Sequence, residues 1–210
     1  MLNRKARIAV FVSGGGTNLQ ALLDAQADGR LKSGEIVLVI SSKAGAYALT
    51  RAEERGVATA VASKKALGSR EAVEQELDRL LAEYEIDMII LAGYLSILSE
   101  DFTSRWPRRI LNVHPSLIPA FCGDGFYGLR VHEAALERGV KLTGATVHFV
   151  NEITDGGEII LQKAVSVLPD DTPETLQRRV MEEAEWQLLP AAAELVANEI
   201  ICKGEDYGHL

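Results

Sequence analysis

Short, unbroken apolar runs recur along this chain, and segments with apolar residues three and four apart lie between them. Residues 8–12, Ile-Ala-Val-Phe-Val, form the first run and stop at Ser-Gly-Gly-Gly-Thr-Asn, which predicts a buried strand and then a turn. Leu19, Leu22, Leu23 and Ala27 follow with helical spacing. Further strands are predicted over 35–40, 57–62, 87–92, 110–114, 145–150 and 159–167. Helices are predicted over 44–55, over 69–84 with Ser69 as N-cap, and over 131–138. A last helix over 173–197 has Thr172 as N-cap and is expected to kink or divide at Pro190. Strands alternating with helices imply an α/β fold: a mostly parallel twisted sheet with helices on both faces and a Rossmann-like N-terminal half. No internal repeat, linker or low-complexity tract interrupts the pattern, so one domain over residues 1–210 is expected. The longest irregular stretch, 115–129, is rich in Pro, Gly and aromatics, and a loop that long in a compact domain is usually functional.

Composition narrows the classes of function. An apolar fraction of 47 % and a charged fraction of 25 % exclude a disordered chain, a collagen and a disulfide scaffold. Lys and Arg number 22 against 30 Asp and Glu, so the formal net charge is −8. Such a chain repels polyanions and anionic membranes, and its densest basic cluster, Arg105 to Arg109, is interrupted by Trp106 and Pro107. No nucleic-acid or membrane partner is expected. Cys122 and Cys202 stand far apart in unlike contexts, which suggests neither a disulfide nor a zinc site. Cys122 reads as a plain buried or half-buried thiol or, in its Gly-rich loop, a reactive one. The run at 8–12 is too short for a signal-peptide core or a membrane span, so a reduced, cytoplasmic setting is expected.

Ligands of open α/β sheets bind beyond the carboxyl ends of the strands. Three segments at such ends carry unusual chemistry. In Ser13 to Asn18, glycines at 14, 15 and 16 can turn backbone N–H groups toward an anion at a helix N-terminus. A simple tight turn is the competing reading, but the position directly after the first strand favours a phosphate monoester. The spacing matches neither a P-loop nor G-x-G-x-x-G. In Asn112-Val-His114-Pro-Ser, strand alternation puts Asn112 and His114 on one face. An amide that holds a developing oxyanion beside an imidazole that moves a proton suits chemistry at a carbonyl. In Asn151-Glu-Ile-Thr-Asp155-Gly-Gly, a carboxylate on a tight loop can approach that imidazole and stabilise its protonated form. His148 either faces the same cleft or is a satisfied sheet histidine, the simpler reading. His132 reads as a helix-face residue and His209 as a tail residue. His114, His148 and Asp155 lack the local spacing of a metal site, and no metal is expected.

Ser-Gly-Gly-Gly-Thr-Asn-Leu at 13–19, Asn-Val-His-Pro-Ser-Leu-Ile-Pro at 112–119 and Val-His-Phe-Val-x4-Asp-Gly-Gly at 147–157 together resemble the formyltransferases that use 10-formyltetrahydrofolate. The likeness runs from about residue 6 to about residue 197. Relatives that act on tRNA or hydrolyse the folate carry an additional domain, for which this length leaves no room. The resemblance implies formyl transfer from 10-formyltetrahydrofolate, a co-substrate, to the amine of a small phosphorylated substrate. The enzyme would be a monomer or homodimer, with a phosphate-binding N-terminal half and a folate-binding C-terminal half.

Residue by residue, the resemblance implies that Asn112 binds the formyl oxygen, that His114 is the general acid and that Asp155 pairs with His114. Gly16, Thr17 and Asn18 would hold the substrate phosphate. Glu185 would meet the ribose hydroxyls, with Glu182 near it. Arg70 would meet the folate tail. Leu95, Ser96, Ile97 and Leu98, together with Asn151, Glu152, Ile153, Thr154 and Asp155, would frame the pterin, largely through backbone groups. Ser96 stands where the family often has Arg, and Trp186 where it commonly has His. A hydrolase that deformylates the folate and a non-catalytic nucleotide-binding module are the rival functions.

Overall fold

The computed structural model describes residues 4–206. The chain runs β1 (Ala6–Val12), α1 (Thr17–Ala27), β2 (Gly34–Ser41), α2 (Tyr47–Glu53), β3 (Ala58–Val61), α3 (Lys64–Leu67), α4 (Arg70–Glu83) and β4 (Met88–Leu91). It continues through α5 (Glu100–Ser104), β5 (Ile110–His114), α6 (Leu129–Arg138), β6 (Leu142–Phe149), β7 (Ile159–Ser166) and α7 (Pro173–Val180). A π-helical turn (Met181–Glu185) then leads into α8 (Trp186–Asp206). The strands form one sheet in the order β3-β2-β1-β4-β5-β6-β7. The first five strands are parallel, and β6 and β7 are antiparallel to their neighbours.

Alternation along β1 shows how the sheet is covered. Ala6, Ile8, Val10 and Val12 point into a core shared with α1, α7 and α8, whereas Ala9 and Phe11 point into a second core under α4 and α5. Both faces of β1 are therefore dry, as its unbroken apolar run requires. Strand order reverses between β1 and β4, the switch point where a crevice opens beyond the strand ends. Ser13, just past β1, bridges that crevice. Its hydroxyl meets Ser42 Oγ at 2.7 Å beyond β2 and accepts the Leu95 N–H at 2.9 Å beyond β4.

Helix α2 is shorter than the predicted 44–55, because residues 42–46 turn back to the end of β1 before the helix starts. Helices α3 and α5 are additions to the predicted set. Each is a single short turn capped by a serine, Ser63 or Ser99, and too brief to show a periodicity. The expected disruption at Pro190 lies instead at the π turn. That wide turn ends at Trp186, whose carbonyl Pro190 has no N–H to meet, so the break falls one turn ahead of the proline. Among the described residues no helix is long and apolar enough to cross a membrane. His209 lies outside the described residues.

Candidate active site

Strand β5 ends in Asn112 and His114, and β6 runs antiparallel beside it with His148 opposite Asn112. The 151–157 turn then brings Asp155 back over both. Asp155 adopts a left-handed φ of 55°, and the glycines after it are demanded by space. A Cβ on Gly157 would stand 1.7 Å from the Phe149 carbonyl oxygen, and one on Gly156 2.5 Å from the Ile153 side chain. The Asp-Gly-Gly sequence is thus what allows this turn to lie tight against the end of β6.

Three separated stretches of chain meet here. Asp155 Oδ2 lies 3.4 Å from His114 Nδ1, and its Oδ1 lies 3.5 Å from His148 Nε2. The Asn112 amide nitrogen stands 3.2 Å from His148 Nε2 and donates to Asp155 Oδ1 at 3.5 Å. His114 Nε2 donates to the Phe121 carbonyl at 2.8 Å. Both ring nitrogens of His114 therefore face oxygen atoms. His148 Nδ1 donates to the Phe149 carbonyl at 2.8 Å, which leaves its Nε2 between the Asn112 amide and Asp155. His114 is 4 % exposed and His148 2 %, so these contacts operate in a weakly screened environment. Burial pushes the Asp155 carboxyl up. The His148 contact, the Gly123 N–H at 2.9 Å and the two imidazoles outweigh it, and the group stays below its ordinary value. Asp155 is thus a fixed negative charge against His114.

The irregular stretch after β5 folds over this cluster. It supplies the Phe121 carbonyl and the Gly123 N–H, and its Asp124 accepts from Thr154 at 3.1 Å. Neither backbone contact was legible as a motif; the available signal was Gly123 and Gly125, whose positive φ marks turns. His148 is a member of the cluster and not merely a satisfied sheet histidine. Cys122 is half-buried and donates to the Pro119 carbonyl at 3.3 Å. Burial and the Asp155 charge push its thiol up, away from the reactive thiolate.

The glycine loop after β1 leads into α1. Gly16 is left-handed at φ 74°, and no side chain caps the helix. The first N–H groups of α1 are thus left for another partner. Thr17 is exposed on the first turn, with its hydroxyl 3.9 Å from Met181 Sδ. Asn18 donates to Glu185 Oε2 at 2.7 Å, while its own Oδ1 is buried without a partner. The π turn carries Glu185 inward to 6 % exposure, and burial pushes its carboxyl up against the opposing pull of Asn18. Glu182, on the same turn, is exposed and does not join this pair.

The remaining candidates surround the switch point. Leu95 and Ile97 are exposed large apolar side chains on the loop after β4, and Ile153 is another on the Asp155 turn. Ser96 and Glu152 are exposed between them, whereas Leu98 packs against the core under α4. Asn151 Oδ1 accepts the Ile153 N–H at 3.0 Å and shapes the turn. Arg70 opens α4 and donates to Glu74, which also accepts from the Ser99 N–H and hydroxyl at 2.7 and 2.6 Å. Glu74 thereby ties Arg70 to the far end of the 95–98 segment. Among the described residues no group of three or more His, Cys, Asp or Glu is placed to hold a metal.

A half-buried amide with a buried imidazole and carboxylate at the mouth of a doubly wound sheet marks a class of group-transfer sites, and residues 6–193 match the profile of the formyl transferase family. The chain belongs to that family. It is 46 % identical to the trifunctional purine biosynthetic protein adenosine-3 of Gallus gallus over 201 residues, covering 96 % of this chain and 19 % of that protein. The chain thus spans about a fifth of the length of the trifunctional relatives it matches. It is 41 % identical to the phosphoribosylglycinamide formyltransferase of Haemophilus influenzae over 88 % of this chain and 84 % of that one. Among solved structures, glycinamide ribonucleotide transformylase 1 from Symbiobacterium toebii superimposes with a TM-score of 0.87 at 44 % identity, covering 95 % of this chain and 90 % of that one.

Proposed function

We propose that this chain transfers the formyl group of 10-formyltetrahydrofolate to the amine of 5-phosphoribosylglycinamide, a step of purine biosynthesis. The observation that carries the proposal is the meeting of Asn112, His114 and Asp155 at the end of β5. In the proposed reaction the amine attacks the formyl carbon and a tetrahedral intermediate forms. Its oxyanion is met by the Asn112 amide and by protonated His114. The carbon–nitrogen bond to the folate then breaks, and the proton lost by the amine ends on the departing folate nitrogen. The products are the N-formyl amide and tetrahydrofolate. Among the described residues no Ser or Cys side chain hydrogen-bonds to His114, His148 or Asp155, so the transfer is direct.

The uncapped N-terminus of α1 supports Gly16, Thr17 and Asn18 as the phosphate cradle, because free N–H groups and the helix dipole favour an anion there. The Asn18–Glu185 pair, beside that cradle, suits a ribose diol that donates to the carboxylate. Exposed Leu95, Ile97 and Ile153 suit a flat apolar ring, and Arg70 a carboxylate tail. The enzyme acts on small molecules in the cytoplasm, as a monomer or homodimer.

The test is tetrahydrofolate release, followed by absorbance, with and without the phosphorylated amine. Release that needs the amine supports transfer. Equal release without it replaces transfer by hydrolysis of the folate. Binding of nucleotide with no response to folate reduces the chain to a nucleotide-binding module.

A further inference from the structure

The glycine loop does not hold its own shape; the next helix holds it. The Ala48 N–H, in the first turn of α2, donates to the Gly14 carbonyl at 3.1 Å. Arg51, one turn on, donates through Nε to the Gly15 carbonyl at 2.8 Å. The same guanidinium is pinned by Gln20 Oε1 at 2.9 Å and lies 5.0 Å over the Tyr47 ring. In a trans peptide the C=O and the following N–H point in opposite directions. Two consecutive carbonyls drawn toward α2 therefore send the N–H groups of Gly15 and Gly16 the other way. Among the described residues no acceptor meets either N–H. A Cβ built on Gly14 or Gly15 would meet nothing within 4 Å, so open space lies beside this loop. Gly16 differs: a Cβ there would stand 2.6 Å from the Ala48 side chain, which presses the loop and α2 together.

We infer that Arg51 is a positioning residue for phosphate recognition. By holding the Gly15 carbonyl it aims the Gly16 N–H into the cradle at the start of α1, so that preference for a phosphorylated amine depends on a side chain outside the loop. The inference rests on the phosphate reading of that loop given above. Arg51 acts through its hydrogen bonds to Gly15 and Gln20 and not by touching the phosphate. A lysine keeps the charge but cannot bridge both partners as the planar guanidinium does.

The experiment compares Arg51→Met and Arg51→Lys with the unaltered enzyme. It reads kcat and KM for the phosphorylated amine, KM for the folate, and kcat/KM for the dephosphorylated amine. Arg51→Met is expected to raise KM for the phosphorylated amine roughly tenfold and to lower the preference for phosphate by the same factor. KM for the folate should be unmoved. Arg51→Lys should fall between the two. A general structural defect would shift both substrates together, so a selective loss identifies positioning. An Arg51→Met enzyme that keeps the full phosphate preference overturns the inference. If that variant does not fold, Arg51→Lys decides: a selective rise in KM supports the inference and an unchanged preference overturns it. If the unaltered enzyme itself ignores the phosphate, the phosphate reading fails first, and that result is recognisable before any variant is made.

Discussion

Asp155 Oδ2 lies 3.4 Å from His114 Nδ1 and at the same time accepts the Gly123 N–H at 2.9 Å. One carboxylate oxygen thus connects the His114 ring to the loop that covers it. Asp155→Asn keeps the shape of the side chain and removes its charge. Turnover should fall roughly 10²-fold, the lower range for a positioned general acid. The amide would also have to turn its oxygen to Gly123 and its NH₂ to Asn112 or His148. A stopped-flow comparison with matched thermal melts checks this; an asparagine variant with unaltered turnover removes Asp155 from the mechanism.

Asn112 and His114 are expected to act on one oxygen. Asn112→Ala and His114→Ala should each lower kcat by roughly 10²–10³-fold, the usual loss of an oxyanion donor. KM for both substrates should move little, since the interaction develops only as the intermediate forms. The double variant should be scarcely worse than either alone, because residues that work as a unit do not add. Fully multiplicative losses would show that the two residues serve separate steps.

Much of this arrangement is legible in the sequence. Buried parallel strands announce themselves as unbroken apolar runs, and Ser69 and Thr172 mark helix starts that the structure keeps as N-caps. Asn112 and His114 are readable because alternation puts them on one face, and the Asp-Gly-Gly turn because its glycines are sterically required. The Phe121 carbonyl and Gly123 N–H are not, since backbone groups carry no residue signature. His148 reaches the site only through the register of β6 against β5, which is a tertiary fact. Arg51 belongs to the same class. It is one more arginine on a helix until the fold sets it against Gly15.

Glu185 gives a prediction with an unusual sign. Burial raises its carboxyl above the ordinary 4.5, with the Asn18 amide opposing. A carboxyl raised on folding contributes stability that is complete below its unfolded value and is lost as pH climbs through the folded one. Glu185→Gln can still accept from Asn18 and carries no charge. The variant should therefore melt with the unaltered protein at pH 4 and above it at pH 8, while KM for the phosphorylated amine rises. Thermal melts across that range check it. A stability difference that does not vary with pH would show that Glu185 ionises in the folded protein as it does in the open chain.

His132 sets the opposite limit. It is fully buried on α6, and neither ring nitrogen has a hydrogen-bond partner. Burial, and then the nearby charge of His114, push it from 6.5 down to about 4. A histidine lowered on folding contributes stability that is present above 6.5 and is lost as pH falls toward 4. At 1.36 kcal/mol per unit, the whole interval corresponds to about 3 kcal/mol. His132→Leu has similar bulk, no titrating group and no orphaned nitrogen. Urea unfolding at pH 7, 5.5 and 4.5 should show the unaltered protein losing stability faster than the leucine variant. The gap should open below pH 6.5 and carry no counterpart above it. Parallel pH profiles for the two proteins would mean that the ring stays neutral without strain, or meets its proton elsewhere, and would remove His132 as the source of acid sensitivity.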